Sequence, residues 1–386
     1  MTSKFDSIRP YADSDLPEIL KKLANTDELI ESLVVFRFSS WPTFLRPILR
    51  FLTKHYVRMQ IKGINTTRDF QGLVEPYVQR MINKTTSSFN LSGFEQLDLS
   101  KPCLFISNHR DIALDPALIN WALHLNGEDT VQIAVGDNLL RKDWIADLIR
   151  LNKCFIVNRS AKDRRQKLAD AKLLSEYIAD SLHNQKQHIW IAQREGRAKD
   201  GHDVTNPAII SMLAMNRPKD MEFKDYIKQL RIVPVSISYE FDPCDVAKAK
   251  ELAEKEMGGA YDKADHEDIK SIVDGIVGFK GQVNVNFGKV IDDDFVNAKE
   301  VAAYLDLHIL AAYKTYATSY VAANLLDSTS TAVAKSPVGN EDFSAEEILA
   351  ATIYFETKTA GLLPDVRIKM LKMYAATYQN QLKSSF

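Results

Sequence analysis

The 386-residue sequence predicts an α/β fold: a mostly parallel mixed sheet flanked by helices, with helical additions at both ends. Two observations carry the fold class. From Leu91 to about Gly288, short runs rich in Val and Ile alternate with helical periodicity, the pattern of strands covered on both faces. Outside that stretch the apolar residues recur at helical spacing. A third observation locates the chemistry. Several strand-like runs end in polar turns holding His, Asp or Arg, and in such sheets reactive groups gather at strand ends.

Residues 1–90 read as a helical N-terminal region. Leu16, Ile19, Leu20 and Leu23 mark a helix within 11–36, with Asp13 or Ser14 as its cap. From Leu33 to Arg68 no acidic residue occurs, while Arg46, Arg50, Lys54, Arg58 and Lys62 recur at every fourth position. Phe36, Phe38, Trp41, Phe44 and Phe51 add aromatic bulk, and Pro47 starts a helix that runs to about Gln60. A basic amphipathic helix with aromatic residues suits an interfacial membrane anchor. Its apolar face enters the acyl boundary, and each cation near an anionic leaflet contributes about 1 kcal/mol. The segment 33–62 is therefore expected to face a membrane. Gln71–Lys84 reads as another amphipathic helix, and Thr85–Thr86–Ser87–Ser88 as a loop.

Residues 91–295 form the expected α/β domain. Strands are expected at Cys103–Ser107, Val131–Val135, Cys154–Asn158, His188–Ala192, Arg231–Ser238 and Gln282–Phe287. Helices are expected at Pro116–Leu125, Trp144–Arg150, Asp163–Asn184 and Asn206–Asn216, and the charge-rich Lys248–Glu267 as a solvent-facing helical insertion. Residues 296–386 read as a long helix, Ala298–Leu326, then a Ser/Thr/Pro/Gly linker, Asp327–Asp342. A helical pair, Ser344–Phe386, divided near Gly361–Pro364, follows.

With 45% hydrophobic and 26% charged residues the chain can bury a sizeable core. A formal net charge of -2 gives no global attraction to nucleic acid or to anionic lipid, so any such attraction is local. Cys103, Cys154 and Cys244 are widely spaced without metal-ligand spacing, which suggests buried, reduced thiols in an intracellular protein. No secretion leader is expected from Met1–Ser7, and no apolar run approaches the roughly 18 to 20 residues that span a bilayer. Membrane contact is expected to be peripheral, at the cytoplasmic face.

The chemistry centres on Asn108–His109–Arg110–Asp111–Ile112–Ala113–Leu114–Asp115–Pro116, which follows a strand-like run. An imidazole takes a proton at neutral pH when a carboxylate orients it, and Asp111 and Asp115 are the local candidates. A continuous helix over 109–115 would put Asp115 about 240° round from His109, so that pairing needs a turn. Asp115–Pro116 supplies one as an N-cap and first-turn pair that leaves His109 in the loop. One carboxylate oxygen can then cap while the other holds His109 Nδ1. His109–Arg110–Asp111 also looks like a kinase catalytic loop. That motif needs Asn five residues after the Asp, where Pro116 stands, and no DFG accompanies it. No GxSxG exists for a serine hydrolase. Further along, Arg159, Arg194, Arg197 and Lys199 lie in loops at strand ends, and guanidinium groups in such loops suit a phosphate.

These residues resemble the glycerolipid acyltransferases, the glycerol-3-phosphate and lysophosphatidate acyltransferases of the NHxxxxD type. Four ordered blocks carry the resemblance over roughly 91–240. Asn108–His109 through Asp115–Pro116–Ala117–Leu118–Ile119 is similar to the first. Gly136–Asp137–Asn138–Leu139 leading to Phe155–Ile156–Val157–Asn158–Arg159 is similar to the second. Ile191–Ala192–Gln193–Arg194–Glu195–Gly196–Arg197 resembles the third, and Ile232–Val233–Pro234–Val235–Ser236–Ile237 the fourth. The family places four residues between His and Asp, whereas five separate His109 from Asp115 and Asp111 is two along. The alignment favours Asp115 with one inserted residue.

The resemblance implies transfer of an acyl chain from an acyl-CoA or acyl-carrier-protein thioester to a glycerophosphate hydroxyl, with no cofactor and no metal. It implies His109 as general base and Asp115 as its orienter. Arg159, Arg197 and Lys199 would hold the acceptor phosphate, with Glu195 and Gly196 shaping the pocket and Pro234 supporting it. Implied partners are a membrane lipid surface, acyl-CoA or acyl carrier protein, and a glycerophosphate; nucleic acid is not among them. Another lyso-lipid acceptor, or a non-catalytic lipid- or acyl-carrier-binding relative, is the alternative.

Overall fold

The computed structural model describes residues 3–38, 40–140, 142–258, 267–327 and 343–384. The chain divides into two compact units, each discontinuous in sequence: Met1–Gln79 with Val131–Ile178, and Arg80–Thr130 with Ala179–Phe386. In chain order the elements begin α1 (Leu16–Leu23), α2 (Asp27–Phe38), α3 (Arg46–Gln60), α4 (Thr67–Thr85), β1 (Thr86–Ser92), β2 (Leu104–Ser107) and α5 (Leu114–Leu125). They continue with β3 (Gln132–Gly136), α6 (Asp143–Leu151), β4 (Cys154–Val157), α7 (Arg164–His183), β5 (Ile189–Ala192), α8 (Pro207–Leu213), α9 (Phe223–Gln229) and β6 (Ile232–Tyr239). The last are α10 (Asp245–Glu256), α11 (Glu267–Val277), β7 (Gly281–Phe287), α12 (Ala298–Ala311), α13 (Ala317–Asp327), α14 (Ala345–Thr359) and α15 (Pro364–Ser384). The strand pairs are parallel except for β6 with β7, which gives the mostly parallel mixed sheet, flanked by helices, that the sequence predicts.

In the second unit β2 lies between β5 and β6, and its four residues are all buried. A strand with neighbours on both edges and cover on both faces must be apolar throughout, and Leu104–Phe105–Ile106 is. β6 pairs antiparallel with β7, which pairs parallel with β1. β1 corrects the sequence reading, because Thr86 to Ser88 belong to a strand and not to a loop. Its polar, half-exposed residues gave no apolar signal; pairing with β7 fixes it. Pro234 sits in β6 where β7 ends: Gly288 N donates to its carbonyl at 2.8 Å, and a Cβ on Gly288 would come within 2.7 Å of the proline ring.

Two other expectations change. The expected long helix Ala298–Leu326 is two helices, α12 and α13, joined by a turn in which Lys314 N donates to Ser238 Oγ at 2.9 Å. The insertion after β6 is not solvent-facing along α10: Asp245, Lys248, Ala249, Glu251 and Ala253 are buried. Ala249 and Ala253 join the core built by α13, α14 and α15, and the Tyr354 and Tyr374 hydroxyls both donate to Asp245 Oδ2. A charged helix is buried here because each charge finds a partner in the tertiary structure. Residues 259–266 of that insertion, and residues 328–342 of the expected linker, lie outside the described residues.

In the first unit β3 and β4 pair in parallel, and Ile156 N donates to Ile8 O on the N-terminal segment. Leu16, Leu20 and Leu23 of α1 pack with Leu29, Ile64, Phe70 and Leu151. α2 and α3 meet through charge: Arg46 and Arg50 reach Glu31 at 3.8 and 3.5 Å, and Arg50 and Lys54 reach Asp27 at 3.7 and 3.5 Å. The cations that recur along α3 are thus turned toward α2, while Phe44 and Phe51 are more than 70% exposed and Trp41, Ile48, Leu52 and Met59 more than half. Exposed apolar side chains in such number on one short stretch mark an interaction surface. Among the described residues no helix is long and apolar enough to cross a membrane.

Candidate active site

The loop between β2 and α5 is built from its two acidic residues. α5 starts at Leu114, so Asp115 lies inside the first turn and is not the cap the sequence suggested. Asp111 does the capping: its Oδ1 accepts from Ala113 N and Leu114 N, both at 2.9 Å. Asp115 instead folds back over the loop, and its Oδ2 accepts from Arg110 N at 2.7 Å and Asp111 N at 2.9 Å. The same oxygen lies 2.8 Å from His109 Nδ1. The extra residue between His109 and Asp115 is absorbed by this tight loop, whose amides turn inward onto the carboxylate.

A carboxylate can only accept here, so His109 Nδ1 is the donor and Nε2 is left as the basic nitrogen. The Asp115 side chain is fully buried, while that of His109 keeps 14% of its surface open, enough for approach to one ring edge. Trp190 of β5 packs edge-on against the imidazole at 5.8 Å, and its Nε1 donates to Ser107 Oγ at 2.9 Å. Asn108 fixes the loop to β6 as a backbone group would: its Nδ2 donates to Ile237 O at 2.9 Å and its Oδ1 accepts from Ile237 N at 2.8 Å. Tyr239, two residues on, donates to Asp115 Oδ1 at 2.7 Å.

The loop after β5 meets the same place. Gln193 N donates to Ser107 O and Ala198 N to His109 O, each at 2.9 Å, so this loop is laced to the histidine loop through the backbone. Gly196 has φ +71°, a left-handed turn that favours glycine, and it and Glu195 are exposed. Arg197 Nη2 lies 3.5 Å from Ser271 Oγ of α11, and its Nη1 is buried without a hydrogen-bond partner among the described residues. Lys199 is engaged: its Nζ is paired with Glu251 of α10, and burial lowers its pKa despite that carboxylate. Of the two cations expected in this loop, Arg197 has a donor to spare and Lys199 is tied into the frame.

Arg159 belongs to the first unit, just beyond β4. A Cβ on Gly136 at the end of β3 would meet its guanidinium at 3.2 Å, so the two halves of the second block come together there. Burial would push the neighbouring Asp137 carboxyl up, but Ser160 and Arg159 hold it below the usual range.

Around the histidine loop stands a buried polar frame with little sequence signal. Arg110 pairs with Asp203 at 2.9 Å and lies over the Tyr313 ring. Lys248 of α10 donates to Arg110 O at 2.6 Å and pairs with Asp242. A Cβ on Gly275 of α11 would stand 2.4 Å from Asp111 Oδ2, so only glycine lets that helix approach. Burial, then the Asp115 charge, push the Asp111 carboxyl up. Charged residues spaced along an Ala-rich helix gave no hint of burial; Tyr239 had one, its place at the end of a strand adjoining the fourth block. Among the described residues no group of three or more His, Cys, Asp or Glu side chains could hold a metal ion.

Residues 88–238 match the family model described as Acyltransferase. They span β1 to β6 and hold the four blocks quoted above, so this stretch is similar to an acyltransferase domain. Among solved structures the chain is similar to the 1-acyl-sn-glycerophosphate (LPA) acyltransferase PlsC from Thermotoga maritima, at 12% identity and a TM-score of 0.36, covering 76% of this chain and 94% of that one. No curated protein matches it.

Proposed function

We propose that the protein is an O-acyltransferase moving a fatty acyl chain from acyl-CoA or acyl-ACP to the hydroxyl of glycerol 3-phosphate or lysophosphatidate. The observation that carries the reading is the 2.8 Å contact of His109 Nδ1 with a buried Asp115, within the matched segment. In this reading His109 Nε2 takes the acceptor's hydroxyl proton as the oxygen attacks the thioester carbonyl carbon. The tetrahedral adduct then collapses with cleavage of the C–S bond. A thiol of pKa about 8.5 departs readily as thiolate, and the proton on His109 can follow it, which returns the imidazole to its starting form. No enzyme nucleophile and no metal is required by this chemistry.

Arg197 is proposed to meet the acceptor phosphate, supported by its buried Nη1, which has no hydrogen-bond partner among the described residues. Arg159 is carried as a phosphate ligand by the family resemblance alone, and Glu195 and Gly196 are assigned the shaping of the turn. Lys199 is reassigned to holding that loop through Glu251. The exposed aromatic and aliphatic side chains of the α2–α3 region are proposed to seat the enzyme peripherally on the cytoplasmic face of a membrane, where acyl chains are found. Apolar contact outweighs charge in this docking, because Arg46, Arg50 and Lys54 face Asp27 and Glu31.

The test is thiol release from palmitoyl-CoA with a panel of acceptors. Glycerol 3-phosphate or lysophosphatidate should be used at least about tenfold faster than a phosphate-free monoacylglycerol or an amino-acid lyso-lipid, given the strength of guanidinium–phosphate pairing. A preference for the phosphate-free acceptors would assign a different substrate. Release with none, from acyl-CoA or acyl-ACP, would point to a binding protein.

A further inference from the structure

We propose that Tyr239 is a positioning residue that acts through Asp115, fixing the carboxylate so that Oδ2 stays on His109 and setting how strongly it polarises the ring. The proposal rests on the reading of His109 as general base. Tyr239 ends β6, and its hydroxyl donates to Asp115 Oδ1 at 2.7 Å. Oδ2 is already committed to His109 Nδ1, Arg110 N and Asp111 N. Among the described residues the carboxylate thus accepts from four donors, and Tyr239 is the one among them that does not come from the histidine loop.

That difference matters for rigidity. The loop amides can move with His109, whereas β6 is held between β2 and β7. The same strand grips Asn108 through both backbone groups of Ile237. Ile237 and Tyr239 are two residues apart on one strand, so Asn108 and Asp115, on either side of His109, are referred to one rigid edge. Burial and the adjacent Asp115 charge keep the phenol protonated far above neutral pH, so it remains a donor. The other charged groups facing this core are Asp111, Asp203, Asp242, Arg110 and Lys248. Each has a partner of its own in the loop or frame, and none replaces the Tyr239 bond.

Removing the hydroxyl leaves Oδ1 buried and unpaired. The carboxylate then draws more of the imidazole proton, and it is freer to rotate off the ring. Tyr239→Phe should therefore lower kcat about tenfold, less than the roughly hundredfold or more that a positioned proton acceptor contributes outright, while KM for the phosphate acceptor changes less than about twofold. The rising limb of the kcat–pH profile should move to higher pH, since a less neutralised Asp115 favours imidazolium. In an Asp115→Asn background the same substitution should change kcat by less than about twofold, because residues acting through one group are not additive.

A readout independent of the substrate is the downfield proton resonance of His109 Nδ1–H, assigned by its loss in His109→Ala, which should move further downfield in Tyr239→Phe. An unmoved pH limb and an unmoved resonance, or full additivity with Asp115→Asn, would overturn the proposal. If the resonance moves but His109→Ala keeps full activity, the general-base reading fails and the positioning of Asp115 by Tyr239 stands.

Discussion

Asp111 and Asp115 divide two tasks across one turn of chain: Asp111 Oδ1 caps the first amides of α5, and Asp115 Oδ2 gathers the imidazole and two loop amides. Exchanging the acids for amides separates these tasks. Asp111→Asn keeps a capping oxygen and should retain activity within about threefold, whereas Asp115→Asn should lose at least about a hundredfold in kcat, the usual scale of a disrupted proton acceptor. Near-equal losses in the two variants would contradict the division.

The same substitution has a stability consequence. Burial and then the charge of Asp115 raise the Asp111 carboxyl in the folded protein. A raised carboxyl contributes stability below its unfolded value, and that contribution is lost as pH rises through the folded value. At neutral pH Asp111→Asn should therefore melt at or above the wild-type temperature, and the advantage should shrink as pH falls toward about 4. Calorimetry across that range checks the sign.

Arg197 and Lys199 differ in their commitments, so their variants should differ in kinetics. Arg197→Ala should raise KM for glycerol 3-phosphate about tenfold or more with a smaller change in kcat, the effect of losing a charge-assisted bond to phosphate. Lys199→Ala should act like Glu251→Ala, since each breaks the pair between them. A larger KM effect from Lys199→Ala than from Arg197→Ala would return Lys199 to the phosphate.

Much of this arrangement was legible in the sequence. Six of the seven described strands announce themselves as Val/Ile-rich runs, because buried parallel strands must be apolar. β1 does not, since Thr86–Ser87–Ser88 depends on β7 for its conformation. The four ordered blocks point to Asp115 as the partner of His109, but the capping that the Asp115–Pro116 pair suggests belongs to Asp111. The buried face of α10 was invisible, because Lys248 and Glu251 each take one of their partners from more than 50 positions away. So was the break between α12 and α13, where no Gly or Pro marks the turn that Ser238 and Glu240 hold.

Apolar docking of the α2–α3 region has a direct test in vesicle flotation. Phe44→Ser/Phe51→Ser should reduce partitioning about tenfold or more, since each buried Phe contributes roughly 1.5 to 3 kcal/mol. Raising salt to about 0.5 M should change it little, because screening acts on charge. Loss of binding in salt, with the Phe variants unaffected, would make the attraction electrostatic.

Lys280 offers a check on the buried frame. It is fully buried, donates to Thr85 Oγ1 and Gly278 O, and burial lowers its pKa to about 8. Between that value and the ordinary one the unfolded chain binds the extra proton, so stability should rise with pH across about 8 to 10.5. The wild-type minus Lys280→Met difference should change by about 3 kcal/mol over that window. A flat difference would mean that the ammonium is fully compensated by its acceptors.

The central claim is that His109 is the base for acyl transfer, and its most direct test is single-turnover thiol release from palmitoyl-CoA with glycerol 3-phosphate or lysophosphatidate by wild type and His109→Ala. The expected result is rapid release by wild type and a loss of at least about a hundredfold in the variant, with its fold intact by circular dichroism. Release by a folded His109→Ala protein at a rate close to wild type would contradict it.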